Sequence, residues 1–122
     1  MLGKSFIALA LLAGTVSAAQ AADASQGANV FKRCTVCHTS TKDGGNGLGP
    51  NLLGVFGRKA ASLKDFSYSA ALQKSGIVWT EANLTKWVAG PGRMVPGTKM
   101  VFPGLTSKTQ QANLVAYLKT LK

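Results

Sequence analysis

Cys34-Thr35-Val36-Cys37-His38 is the stretch on which the reading of this 122-residue chain turns. Two thiols stand three positions apart, and an imidazole follows the second directly. Cysteine thiols can add across the two vinyl groups of a porphyrin, one thioether each. A macrocycle tied down in this way lies against the chain, with the adjacent His38 under its iron. The spacing C-x-x-C-H is therefore that of a covalently attached c-type haem, with His38 as proximal ligand.

Other chemistry uses the same residue types. Two cysteines in an exported protein often form a disulfide. A bare C-x-x-C is often a thioredoxin-like redox pair, but that reading needs a strand before the motif and a βαβ pattern around it, and neither is visible. A structural zinc needs four ligands; Cys34, Cys37 and His38 supply three, and the chain has no other cysteine or histidine.

Working outward, the first 21 residues read as a leader. Lys4 is basic, Phe6 to Val16 is apolar, and Ala19-Gln20-Ala21 is an A-x-A cleavage site. The apolar run is shorter than the ~20 residues of a membrane span. We expect residues 1–21 to be a cleaved signal peptide, residues 22–122 to be one domain, and the product to be periplasmic. The net charge is +10, yet only 15% of residues are charged, against an ordinary ~25%. A chain so one-sided in sign suits an anionic partner. Export argues against nucleic acid, and no basic amphipathic helix suggests stable membrane insertion. An acidic protein surface is the expected partner, met by a monomer. A domain this small builds a marginal core, so a covalently held haem would serve as its internal plate, and the haem-free chain should be largely unfolded.

The pattern is helical throughout. Asp23 with Gln26 opens a helix over 24–33, in which Gly27, Phe31 and Cys34 recur at helical spacing. Gly27 costs about 1 kcal/mol there against alanine, tolerable if another helix passes close. The glycine-rich stretch 43–57 is a loop, but Leu48, Leu52, Leu53, Val55 and Phe56 make it one that buries side chains. Asp65 or Ser67 can cap a short helix over 68–74, closed by Gly76. Thr80 caps another, ended by Gly90-Pro91. Residues 92–105 read as irregular. Ser107 with Gln110 opens a last helix on which Leu114, Tyr117, Leu118 and Leu121 share a face. The expected fold class is all-α: three to five helices packed around a covalent haem, with little or no β-structure.

A haem iron held by His38 has a second face. Met94 and Met100 both lie in the 92–105 stretch, and spacing alone does not choose between them. The chain as a whole resembles the class I c-type cytochromes, of the soluble mitochondrial and bacterial type. The matching stretches arrive in the family's order across the region from Gly27 to the last helix. They are Cys34-x-x-Cys37-His38, Gly49-Pro50-Asn51-Leu52, Gly57-Arg58-Lys59, Phe66-Ser67-Tyr68, Trp79, Pro96-Gly97-Thr98-Lys99-Met100, Phe102-Pro103-Gly104 and Leu114-Val115-Ala116-Tyr117-Leu118. The resemblance implies that Met100 is the sixth ligand and Met94 a packing residue. It implies that the Pro50 carbonyl accepts a hydrogen bond from His38, and that Arg58, Tyr68 and Trp79 face the haem propionates. Tyr68 and Trp79 can also be read as plain core aromatics. Gly27 and Phe31 would meet Leu114 and Tyr117 where the terminal helices cross.

Three positions depart from the family's common pattern. Trp87 replaces a tyrosine near the methionine side, Leu72 an asparagine, and Asn46 a histidine found in vertebrate members; the first two remove polar groups near the bound sulfur, and a changed reduction potential is therefore the expectation. The implied function is that of a one-electron carrier, not an enzyme, with haem c as sole cofactor. It would run from a quinol–cytochrome c oxidoreductase to an oxidase or reaction centre. Lys32, Arg33, Lys42, Arg93, Lys99 and Lys108 would steer it to acidic partners. The alternatives are a small haem peroxidase or gas sensor with a labile sixth ligand, or a haem-free thiol oxidoreductase.

Overall fold

A computed structural model describes residues 2–3, 5, 8–14 and 21–122. The expected cleavage site at Ala19-Gln20-Ala21, with Lys4 and Phe6 before it, falls largely outside them. Among the described residues no helix is long and apolar enough to cross a membrane.

Five helices follow one another: α1 (Ala24–Phe31), α2 (Ala70–Lys74), α3 (Glu81–Ala89), α4 (Pro91–Met94) and α5 (Lys108–Leu118). The β-structure among the described residues is one isolated bridge, Lys59 to Val78. The all-α expectation holds, and its boundaries show which local signals were read well. Asp23 caps α1 by accepting from the Ser25 and Gln26 amides. Its own amide does not bond back to Gln26; it donates to Asn113 Oδ1 at 2.8 Å, fastening the start of α1 to α5. The α1 hydrogen bonding ends at Phe31, two residues short of the expected Arg33, and gives way to turns that lead through Cys34 to His38. The α2 cap is Ser69, not Asp65 or Ser67: Ser69 Oγ accepts from the Leu72 amide at 3.1 Å. Thr80 and Ser107 cap α3 and α5 as expected.

The 92–105 stretch is not wholly irregular. Gly90-Pro91 reads as the end of a helix, but proline is also well placed at the first position of the next one, where its missing N–H has no partner to lose. Pro91 therefore starts α4 immediately after Gly90 ends α3.

The terminal helices cross at a glycine. A Cβ on Gly27 would stand 2.6 Å from the Asn113 carbonyl carbon and 2.8 Å from Tyr117 Cβ, so α1 and α5 meet backbone to backbone. The Phe31 and Tyr117 rings pack at 5.0 Å beside this point, and Leu114 and Val115 are 1% exposed. Complete burial of one such side chain contributes about 1.5–3 kcal/mol. α3 packs on α5, and α4 on α3. Leu121, beyond the end of α5, still pins the glycine-rich loop, its carbonyl accepting from Gly54 N at 2.7 Å.

Candidate functional site

The helices and long loops enclose a cavity of about 810 Å³, within the ~300–1,000 Å³ of cofactor-sized sites. Its wall takes Leu72 from α2, Leu84, Trp87 and Val88 from α3, and Leu114 and Leu118 from α5. The core is thus hollow, with its inner surface mostly apolar. Cys34, Cys37 and His38 form one side, delivered by the turns after α1.

His38 is held from two directions. Its ring lies on Gly49, where a Cβ would sit 2.7 Å from Nδ1 and 2.8 Å from Nε2. Nδ1 stands 2.7 Å from the Pro50 carbonyl oxygen. That oxygen can only accept, so Nδ1 carries the proton. Burial holds the imidazole below its ordinary pKa, against the opposing effect of the Pro50 bond. The ring is therefore neutral near pH 7 and keeps the Nε2 lone pair as a donor for a metal. The glycine loop is laced to the motif: Gly49 N donates to Cys37 O at 2.8 Å, and Leu52 N to Thr39 O at 2.9 Å.

Cys34 and Cys37 carry free thiols and form no disulfide with each other. Burial pushes the Cys34 thiol up, against the pull of Arg33. A raised thiol is a poor thiolate nucleophile, which disfavours the thiol oxidoreductase reading. No cluster of three or more His, Cys, Asp or Glu among the described residues could hold a bare metal ion.

The two loop methionines separate. Met100 lines the cavity with Thr98, Lys99, Val101 and Phe102. Met94, in α4, is not part of the wall and packs against the hydrophobic core. The loop is tied over the cavity by Lys99, whose Nζ reaches the Ser67 carbonyl at 3.5 Å and hydroxyl at 3.4 Å.

Arg58, Tyr68 and Trp79 also line the cavity. Arg58 donates from Nη1 to Leu53 O at 3.1 Å and from Nη2 to Asn51 O at 3.0 Å. Burial lowers its guanidinium pKa, with Tyr68 acting the other way. The only ion pair among the described residues is Lys119–Glu81, so Arg58 is a half-buried cation without a carboxylate. Such a group favours an anionic partner in the cavity. The Tyr68 hydroxyl accepts weakly from Leu63 N at 3.4 Å. Trp79 and Trp87 pack edge to face at 5.1 Å, and Leu72 is buried in the same hydrophobic core. Size, apolar wall, thiols, a neutral imidazole, a thioether sulfur and an unpaired cation all fit a haem with its carboxylates.

Of the basic residues singled out in the sequence, Arg33 and Lys99 reach the cavity rim. Arg93 instead folds back to donate to Ala89 O at 2.6 Å. Lys42 lies at a separate notch of about 250 Å³. Sequence reasoning missed the cap at Ser69, the Lys99–Ser67 tie and the linking role of Asn46 and Asn51; none of them has a local pattern that announces it.

Comparison with known proteins identifies the family. The cytochrome c family model matches residues 24–122. Cytochrome c2 of Blastochloris viridis is 40% identical over 116 residues, 95% of this chain and 91% of that protein. Cytochrome c-554 of Methylosinus trichosporium is 42% identical over 112 residues, covering 92% of this chain and 83% of its own length. The solved structure of cytochrome cH from Methylobacterium extorquens superposes with a TM-score of 0.76 at 44% identity, over 80% of this chain and 98% of that one. Family match, fold and cavity lead to one conclusion: this chain belongs to the cytochrome c family of electron carriers, and its cofactor is one haem c bound covalently at the Cys34/Cys37 motif.

Proposed function

We propose that the chain is a one-electron shuttle in which His38 Nε2 and Met100 Sδ would occupy both axial positions of the haem iron. The observation that carries this reading is that one cavity is lined by both groups, while the competing methionine, Met94, is outside its wall. The bound haem supplies a one-electron couple at its iron, and His/Met ligation places that couple at high potential.

The residues around it do the rest. Pro50 holds the imidazole orientation through Nδ1, the kind of outer bond that fixes a ligand ring and tunes its metal. Arg58, Tyr68 and Trp79 would neutralise or bond the propionates. Apolar side chains such as Leu72, Val88 and Leu114 exclude water from the iron. With both axial positions taken there is no vacancy for a substrate, so the chain carries electrons and performs no catalysis.

Transfer would occur where the wall is thin. Val36, Leu48 and Val101 line the cavity and are 79%, 83% and 100% exposed. Arg33 and Lys99 flank them. A positively charged rim around an apolar opening suits an acidic redox protein, met as a monomer in a weak and brief encounter. Such partners are a quinol–cytochrome c oxidoreductase on one side and an oxidase or reaction centre on the other, reached in the periplasm after removal of residues 1–21. Intact mass of the exported protein tests the cleavage.

The visible spectrum of purified protein tests the site. A thioether-haem spectrum with the weak red band of methionine–iron(III) ligation is expected. Met100→Ala should abolish the band and Met94→Ala should keep it. Rapid, tight carbon monoxide binding by the reduced native protein would instead indicate a peroxidase or gas sensor. A transfer rate insensitive to rising salt would remove the steering role of the rim.

A further inference from the structure

His38 is the first link in a line of hydrogen bonds that passes through a peptide group. Its Nδ1–H donates to the Pro50 carbonyl at 2.7 Å. The N–H of the same peptide belongs to Asn51 and donates to Asn46 Oδ1 at 2.8 Å. The other end of that carboxamide, Nδ2, donates to the Asp65 carbonyl at 3.3 Å. A backbone N–H can only donate and a carbonyl can only accept, so these two partners fix the orientation of the Asn46 amide. The Asn51 side chain steadies the same turn, donating to Thr41 O at 2.7 Å and accepting from Leu53 N at 2.9 Å.

We propose that Asn46 is a positioning residue that sets the electron-donating strength of His38 through the Pro50–Asn51 peptide. This rests on the reading of His38 as the iron ligand. When a carboxamide oxygen accepts from a peptide N–H, it draws the amide toward its charge-separated form. The carbonyl at the other end becomes a stronger acceptor, a cooperative gain of roughly 10–30% per bond. A stronger Pro50 acceptor polarises Nδ1–H further, gives the ring more imidazolate character, and so favours iron(III). No proton leaves and no group titrates, so the effect is constant across pH. Asn46 also ties the loop bearing Pro50 to the loop at Asp65, and the experiment must separate the two roles.

The test uses the haem-loaded protein. Asn46→Ala removes the acceptor without changing charge. Reduction should become favoured about two- to fivefold, a rise in potential of about 20–40 mV at 59 mV per tenfold. The His38 Nδ1–H should show a weaker hydrogen bond, read by proton NMR shift and hydrogen–deuterium fractionation. Asn46→Asp keeps an acceptor for Asn51 but has no donor for Asp65. Its Nδ1–H bond should be at least as strong as in the parent, whereas a loop tie alone predicts weakening in both variants. If the variants fail to load, the unmutated protein still decides. The fractionation of the Asn51 amide should change between the iron(II) and iron(III) states in step with that of His38 Nδ1–H. An Asn51 amide indifferent to oxidation state, or an Asn46→Ala protein with unchanged potential and unchanged His38 proton, overturns the relay while leaving His38 ligation intact. Ring protons of His38 unshifted by the iron overturn the ligation itself, and the relay with it.

Discussion

Gly27→Ala is the sharpest probe of the architecture that holds the site. The added methyl would lie 2.8 Å from Tyr117 Cβ and 2.6 Å from the Asn113 carbonyl carbon, and closer still to its oxygen. These are backbone and Cβ atoms of α5, so no flexible side chain can swing aside; the helices must separate. Overpacking of a tight contact costs about 1–3 kcal/mol, and an unyielding backbone neighbour puts this one at the upper end. Alanine offsets about 1 kcal/mol of that through its helix propensity. The net loss is about 2 kcal/mol, or roughly 8–16 °C in Tm for a domain of this size. Gly92→Ala is the internal control. It makes the same chemical change within α4, where a Cβ would meet nothing within 4 Å and the backbone is not left-handed. There alanine should be neutral or stabilise by up to about 1 kcal/mol. Thermal melts of both variants, followed by helical circular dichroism, check the pair. Equal effects from the two substitutions would refute the backbone-to-backbone crossing.

Three further outcomes are expected. The Ser25 hydroxyl and the Gln26 amide hold the Asp23 carboxyl below its ordinary value, so its contribution to stability is present above the usual carboxylate range and lost as pH falls through its folded value. Asp23→Asn keeps the cap and removes the titration, so acid melts below about pH 4 should fall less steeply with pH than in the parent. Gly49→Ala would place a methyl 2.7 Å from His38 Nδ1; haem loading should drop sharply, read as the ratio of haem absorbance to protein, while a parent-like ratio would show that the ring can move. Protein made without haem attachment should have little helical signal and no cooperative melt, since the cavity leaves the core open.

What was legible in the sequence, and what was not, follows from the range of the interactions. Asp23, Thr80 and Ser107 act on amides two or three residues away, so their caps could be read locally. The close approach at Gly27 was expected from the family resemblance, which places Gly27 and Phe31 against Leu114 and Tyr117; the local sequence alone could only flag a weak point, because the reason, the Asn113 backbone, lies on another helix. Ser69 was overlooked because neighbouring Asp65 and Ser67 are equally good caps by residue type; only the path of the chain selects among them. α4 was hidden by Gly90-Pro91, read as the end of the preceding helix; proline breaks a helix in its interior and not at its start. The haem motif was legible because covalent attachment demands a fixed local spacing. Spacing did not separate Met100 from Met94; the fold does, with Met100 on the cavity wall and Met94 packed against the core. Asn46 could be flagged as a departure from the family's pattern but not given partners, because Asn51 and Asp65 converge on it only in the folded chain.

The same geometry explains why structure and redox chemistry are inseparable here. Leu72, Trp79, Leu84, Val88, Leu114 and Leu118 belong to the buried core and also line the cavity. A small domain normally closes such residues on one another. In this one they face an inner space, so their apolar contacts are completed by the cofactor. The side chains that stabilise the fold are therefore the ones that keep water from the iron. A substitution that opened the α3–α5 wall would weaken folding and admit solvent together, which lowers the potential as the charged iron(III) state becomes better solvated. Stability and potential should accordingly move in the same direction across cavity-wall variants. Asn46 should stand outside that coupling, because its proposed route to His38 runs through a peptide and it is not part of the wall.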